Sequence, residues 1–127
     1  MTKHSIIISA GQAEVRADLY DTPTGRAILD ALPVEAKASL WGDEIYFEIP
    51  VRMDLEPDAR EDVEIGEMGY WPVGRAFCIF FGPTPSSTGS APMAASAVNI
   101  IGRVNGDASV FRRVRSGEKV RIRIDQS

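Results

Sequence analysis

Gly69-Tyr-Trp-Pro-Val-Gly-Arg-Ala-Phe-Cys-Ile-Phe-Phe-Gly-Pro-Thr-Pro85 holds the densest aromatic and apolar run of the chain, bracketed by glycines and prolines. Within it, Ala76-Phe-Cys-Ile-Phe-Phe81 has no polar side chain at either parity. A strand of this length without polar alternation is covered on both faces. It breaks at Gly82-Pro83-Thr84-Pro85, because proline donates no ladder hydrogen bond and restricts the residue before it. The reading is a central, doubly covered strand that opens into a rigid loop.

Working outward, most other segments alternate. His4–Ser9 and Ala13–Tyr20 flank Ala10-Gly11-Gln12 as an opening hairpin, with Val15, Ala17 and Leu19 facing one way. Thr22 and Pro23 suit a helix cap and first turn; Ile28, Leu29, Ala31 and Leu32 form its apolar stripe, and Pro33 stops it. Val34–Leu40 is a strand. Trp41-Gly42-Asp43 turns the chain into Glu44–Ile49, where Ile45, Phe47 and Ile49 face the core and Glu44, Tyr46 and Glu48 face away. The acidic stretch that follows reads as a loop, and Val63–Trp71 resumes extended structure.

Nine of the sixteen residues in 82–97 are Gly, Pro or Ser, so no regular element is expected there. Val98–Val104 is a strand followed by the turn pair Asn105-Gly106. Ala108–Val114 reads as a short helix, and Lys119–Asp125 as a last strand with Val120, Ile122 and Ile124 inward. Eight strands with one or two short helices make a mainly β chain. A closed or nearly closed barrel is its natural architecture.

At 127 residues the chain reads as one domain, 1–127, of ordinary soluble composition. The apolar run near Met1 is too short for a signal peptide, and no segment approaches the roughly 20 apolar residues of a spanning helix, so no membrane partner is expected. The lone Cys78 forms no intrachain disulfide, and a cytoplasmic location follows by default. Residues 54–67 hold seven acids against Arg60; residues 103–123 hold seven bases against Asp107 and Glu118. These read as two solvated faces that attract one another, in the fold or between subunits, leaving homo-oligomer formation open. Nucleic acid is not expected as a partner, because only Phe111 offers stacking in the basic segment and the net charge is −4.

Leu40-Trp-Gly-Asp-Glu-Ile-Tyr-Phe47, Gly69–Arg75 leading into Phe80-Phe-Gly-Pro-Thr-Pro85, Val98-Asn-Ile-Ile-Gly-Arg103 and Leu32-Pro33 together resemble the cyclophilin-like domain proteins of bacteria and archaea, a family of mostly unknown function. The resemblance implies a closed eight-stranded cyclophilin-like β-barrel. It does not extend to prolyl isomerisation. No segment has arginine, phenylalanine five residues on and glutamine three further, and the only histidine is His4.

Other chemistries lack parts. Cys78 lies mid-strand among apolar neighbours and reads as a packed thiol rather than a nucleophile. There is no His/Cys cluster, and the acids of 54–67 lack calcium-loop spacing, so neither metal nor cofactor is expected. Carboxylates are the better candidates: Glu44 shares a strand face with Tyr46, and burial there would raise its pKa. Tyr70 and Trp71 point to opposite sides of their strand. The expected ligand site is therefore a groove beside the 82–97 loop, formed by Glu44, Tyr46, Tyr70, Arg75, Phe81, Thr84 and Pro85. It suits a small molecule or short peptide. The alternatives are a divergent prolyl isomerase or carboxylate-dependent hydrolase, and a self-association module.

Overall fold

Each alternating segment becomes a strand, and the parity of the alternation selects its inward face. The computed structural model describes residues 3–126. Its elements are β1 Lys3–Ala10, β2 Ala13–Tyr20, α1 Pro23–Ala31, β3 Val34–Lys37, β4 Ser39–Leu40, β5 Glu44–Glu48, β6 Arg60–Asp62, β7 Glu67–Trp71, β8 Ala76–Phe80, β9 Met93–Val104, a 3-10 helix Ala108–Arg113 and β10 Lys119–Ile124. The ladders run antiparallel in the order β3-β10-β1-β2-β9-β7-β8-β5-β4, with β6 added on β9.

The fold is mainly β, but the sheet has ten strands, nine along an open hydrogen-bonded path with two ends and β6 beside it, rather than eight strands in a closed ring. One added strand arises at Ala38. Its N–H donates to Glu118 O and its carbonyl accepts from Gly117 N, both at 2.8 Å, and the chain then leaves β10 to pair with β5. The extended run 34–40 is thereby divided into β3 and β4, which are the two ends of the path. The other is β6, inside the acidic stretch expected to be a loop. Its partner is the first half of β9, which begins at Met93, within the segment expected to stay irregular. Both lie in sequence with no alternation of their own. They are extended because each supplies the other's ladder.

Two apolar cores result. The larger fills the concave side of the sheet with Ile6, Ile8, Leu19, Ile45, Phe47, Met68, Tyr70, Phe77, Ile79, Ile101 and Ile122, closed at one side by Ile28 of α1 and by Phe111 of the 3-10 helix. Phe47 and Phe77 are cross-strand partners whose rings stack at 5.3 Å. The smaller lies on the outer face of β8 and contains Val63, Ala76, Cys78, Phe80, Ala94 and Val98. The expectation that β8 is covered on both sides holds, since all five of its residues are buried. Ile124, expected inward, is 44% exposed, at the last position of β10.

Helix α1 starts as its sequence dictates. Thr22 Oγ1 accepts from Gly25 N at 3.0 Å, and Pro23 occupies the first turn. Behind it a buried network ties loop 52–58 to the fold. Glu56 accepts from Thr24 N at 3.0 Å and from Thr24 Oγ1, while Asn99 bridges Glu56 N, Thr24 Oγ1 and Asp54 O at 2.8–3.0 Å. The acidic and basic segments meet through the Arg103–Glu64 ion pair, whereas Arg112, Arg121 and Arg123 pair with Asp43, Glu35 and Glu14. No helix among the described residues is long and apolar enough to cross a membrane.

Candidate functional site

On the outer face of the β5–β8–β7 part of the sheet lies a cavity of about 110 Å³, lined by Trp41, Glu44, Tyr46, Trp71, Cys78, Ala94, Ala95 and Val98. Register explains the set. Tyr46 pairs with Cys78 and Glu44 with Phe80, so Glu44, Tyr46, Cys78 and Phe80 share one face. On the other side of β8, Gly69 pairs with Cys78 and Trp71 with Ala76, which brings Trp71 to that same face. Gly69 keeps the backbone close: a Cβ there would stand 2.8 Å from Val98 Cγ2.

The cover explains why a hollow remains. The first half of β9 lies over this face, and its Ala94-Ala-Ser-Ala97 run carries only small side chains. They cannot fill the space between two tryptophans. Trp71 is fixed by its indole Nε1, which donates to Ser96 Oγ at 2.6 Å. Trp41 sits on the turn before β5, where Asp43 N donates to Pro83 O and Phe81 N to Asp43 O, each at 2.9 Å. On the remaining part of the outer face, Arg60 makes a two-pronged contact with the Glu67 carboxylate at 2.8 and 3.1 Å and pins β6 down. That contact raises the Arg60 pKa.

Among the described residues Glu44 is the one carboxylic acid in the lining, and it is only 6% exposed. Burial pushes its pKa up to about 7, offset in part by the hydrogen bond from the Cys78 thiol. The thiol also lies 3.9 Å from Ala76 O, but the carboxylate is the stronger acceptor. Burial first, and then the neighbouring carboxyl, hold the Cys78 thiol well above its usual pKa, so it stays protonated. The cavity thus offers aromatic walls, an inert thiol and one carboxyl balanced between its two charge states near neutrality. Among the described residues no three of His, Cys, Asp and Glu gather to hold a metal.

Of the residues expected to form the groove, Glu44 and Tyr46 line the cavity and the other five lie elsewhere. Tyr70 is fully buried in the main core, its hydroxyl donating to Val51 O at 2.5 Å, because it pairs with inward Phe77. Trp71 takes the outward place instead. Phe81 also turns into the main core, 6.2 Å from Phe111 with Arg112 over its ring. Arg75 is ion-paired to Glu48 at 3.2 Å and borders a different, shallow surface depression with Ile49 and Pro50. Thr84 spends its hydroxyl on Met93 O, and Pro85 is exposed while packing on Gly42. Both brace the turn beside Trp41 and do not reach the cavity lining.

The remaining wall residues were not singled out as ligand contacts. Trp41 sits in a turn motif, and Cys78 reads as a core residue. Ala94, Ala95 and Val98 lie in or beside a segment whose Gly, Pro and Ser content hid a strand. What brings them to the site is the packing of the small-residue run 94–97 over the face that carries Glu44, which no local pattern announces.

The family described as Cyclophilin-like matches residues 4–123 of the chain. Among solved structures, the chain is similar to a hypothetical protein from Archaeoglobus fulgidus, determined in solution. The two share 39% sequence identity with a TM-score of 0.82, and the match covers 97% of this chain and 95% of that one. No curated protein matches the chain.

Proposed function

The chain belongs to the cyclophilin-like family, and from that premise we propose that it is a binding module taking a small molecule or the side chain of a short peptide in the outer-face cavity. In this reading the barrel counts as closed, through the chain itself at Ala38. The observation that carries the reading is Glu44. A carboxyl that is 6% exposed, with its pKa raised to about 7 and aimed into an aromatic-walled hollow, sits at a cost unless a ligand uses it. At about 110 Å³ the hollow takes a small ring or branched head group rather than a drug-sized body. The groove runs beside segment 82–97 through Ala94 and Ala95.

The test is a screen of small fragments and short peptides read by amide chemical shifts. Supporting hits move Trp41, Glu44, Tyr46 and Ala94–Val98 together, and Tyr46→Ala weakens them. Hits confined to the basic segment 112–123, or affinities indifferent to Tyr46→Ala, place the site elsewhere.

The same Glu44 supports a second reading, a carboxylate-dependent hydrolase, because a pKa near 7 suits general acid–base work. Its discriminating experiment is turnover of ester and amide fragments that bind, lost in Glu44→Gln.

A further inference from the structure

Trp41 from the turn before β5, Tyr46 from β5 and Trp71 from the end of β7 surround one hollow, and the Glu44 carboxyl faces it from the same sheet. Among the described residues, no lysine, arginine or histidine is in the lining. Aromatic faces carry negative quadrupole charge, and a carboxylate adds a full negative charge, so every strong electrostatic feature of the wall favours a cation. An anionic ligand would be desolvated against the same groups. We infer that the cavity takes a small alkylated ammonium group, held among the three aromatic side chains and neutralised by Glu44. This inference rests on the binding-module reading and specifies its ligand class.

The fit follows from size and solvation. A methylated ammonium is weakly hydrated and presents methyl groups, which suit a wall that also includes Cys78, Ala94 and Val98. Binding would draw Glu44 into its ionised form and release a proton wherever the carboxyl had been neutral. Two other titratable side chains share the lining, the Tyr46 phenol and the Cys78 thiol, and the thiol stays protonated. The Asp43–Arg112 ion pair, at 3.0 Å, involves the adjoining turn and is internally balanced.

Both tryptophans of the chain line the cavity, so intrinsic emission reports its occupation. The experiment titrates the whole chain with choline and with 3,3-dimethylbutan-1-ol, its uncharged carbon isostere, at pH 8 and pH 5.5. Choline should bind about tenfold or more tightly than the isostere at pH 8. With the carboxyl titrating at about 7, choline affinity should fall about 30-fold at pH 5.5, while that of the isostere stays level. Glu44→Gln, nearly isosteric, should abolish that pH dependence and lose at least about tenfold at pH 8. Trp41→Ala, on a turn, should weaken choline with the fold intact by circular dichroism.

An isostere that binds as tightly as choline, with both tryptophans responding, overturns the cation and leaves the site standing. So does a fragment screen with hits at the cavity but no choline response. Silence of choline, isostere and fragment screen alike at the cavity overturns the binding reading with it.

Discussion

Glu44 and Cys78 stand diagonally across the β5–β8 ladder on one face, the carboxyl accepting from the thiol, and burial raises the pKa of both. Burial makes both harder to ionise; the carboxyl further disfavours the thiolate, while the thiol's hydrogen bond gives back part of the carboxylate's stability. The chemistry of the cavity follows from this. The thiol is quiet, and the carboxyl responds to pH and to whatever enters.

The first prediction concerns stability. Glu44 has a folded-state pKa of about 7 against its ordinary value of 4.5, so between those values the folded chain holds more of the proton than the unfolded chain does. Stability contributed by Glu44 therefore falls as pH rises from 4.5 to 7 and stays lower above that. Glu44→Gln removes the penalty: it should stabilise the protein by up to about 3 kcal/mol at pH 8 and change little at pH 4. Urea unfolding at the two pH values measures it. Equal effects at both pH values would contradict the raised pKa.

Cys78 should be inert. It is 1% exposed and its thiolate is disfavoured. A thiol reagent at pH 8 should leave the native protein essentially unlabelled over the time in which the urea-unfolded chain reacts to one equivalent. Prompt labelling of the native form would mean the outer-face cover opens readily.

Asn99 joins three backbone segments that otherwise have no ladder between them. Its amide donates to Thr24 Oγ1 and Asp54 O and its carbonyl accepts from Glu56 N. Asn99→Ala takes the side-chain partner from the Glu56 N–H and the Asp54 carbonyl, while Thr24 Oγ1 keeps only its bond to Glu56, and should cost about 2–4 kcal/mol in chemical unfolding. Amide exchange should quicken first in loop 52–58. A loss below half a kilocalorie would show that water replaces the side chain there.

Gly102 permits the close approach of β9 to β2. A Cβ at this position would overlap the Asp18 carbonyl oxygen and stand 2.6 Å from Met68 Cε. The first of these is backbone in the β2–β9 ladder, so it cannot swing aside. Gly102→Ala should therefore destabilise by about 3 kcal/mol or more, through separation of β2 from β9. A near-neutral unfolding midpoint would show that the ladder has slack.

Alternation in the chain determined which strands exist and which way most side chains face, because a period of two is a local property of an extended backbone. Ile45 and Phe47 went inward and Glu44 and Tyr46 outward on that ground alone, and Thr22-Pro23 and Pro33 bounded α1 in the same way. β8 is apolar on both faces, so nothing in it tells inside from outside, and pairing with its Phe77 and Ala76 places Tyr70 and Trp71. The one local sign is Glu67 in β7, which shares the parity of Trp71 and lies on the outer face with it. The cover was equally hidden, since β6 and the first half of β9 are strands only in each other's company. Glu44 shows the limit most plainly. Its outward face was legible at once, but its burial comes from Ala94 and Val98, some fifty residues away. The field around a carboxyl is set by whatever packs over it, and only the tertiary structure decides what that is.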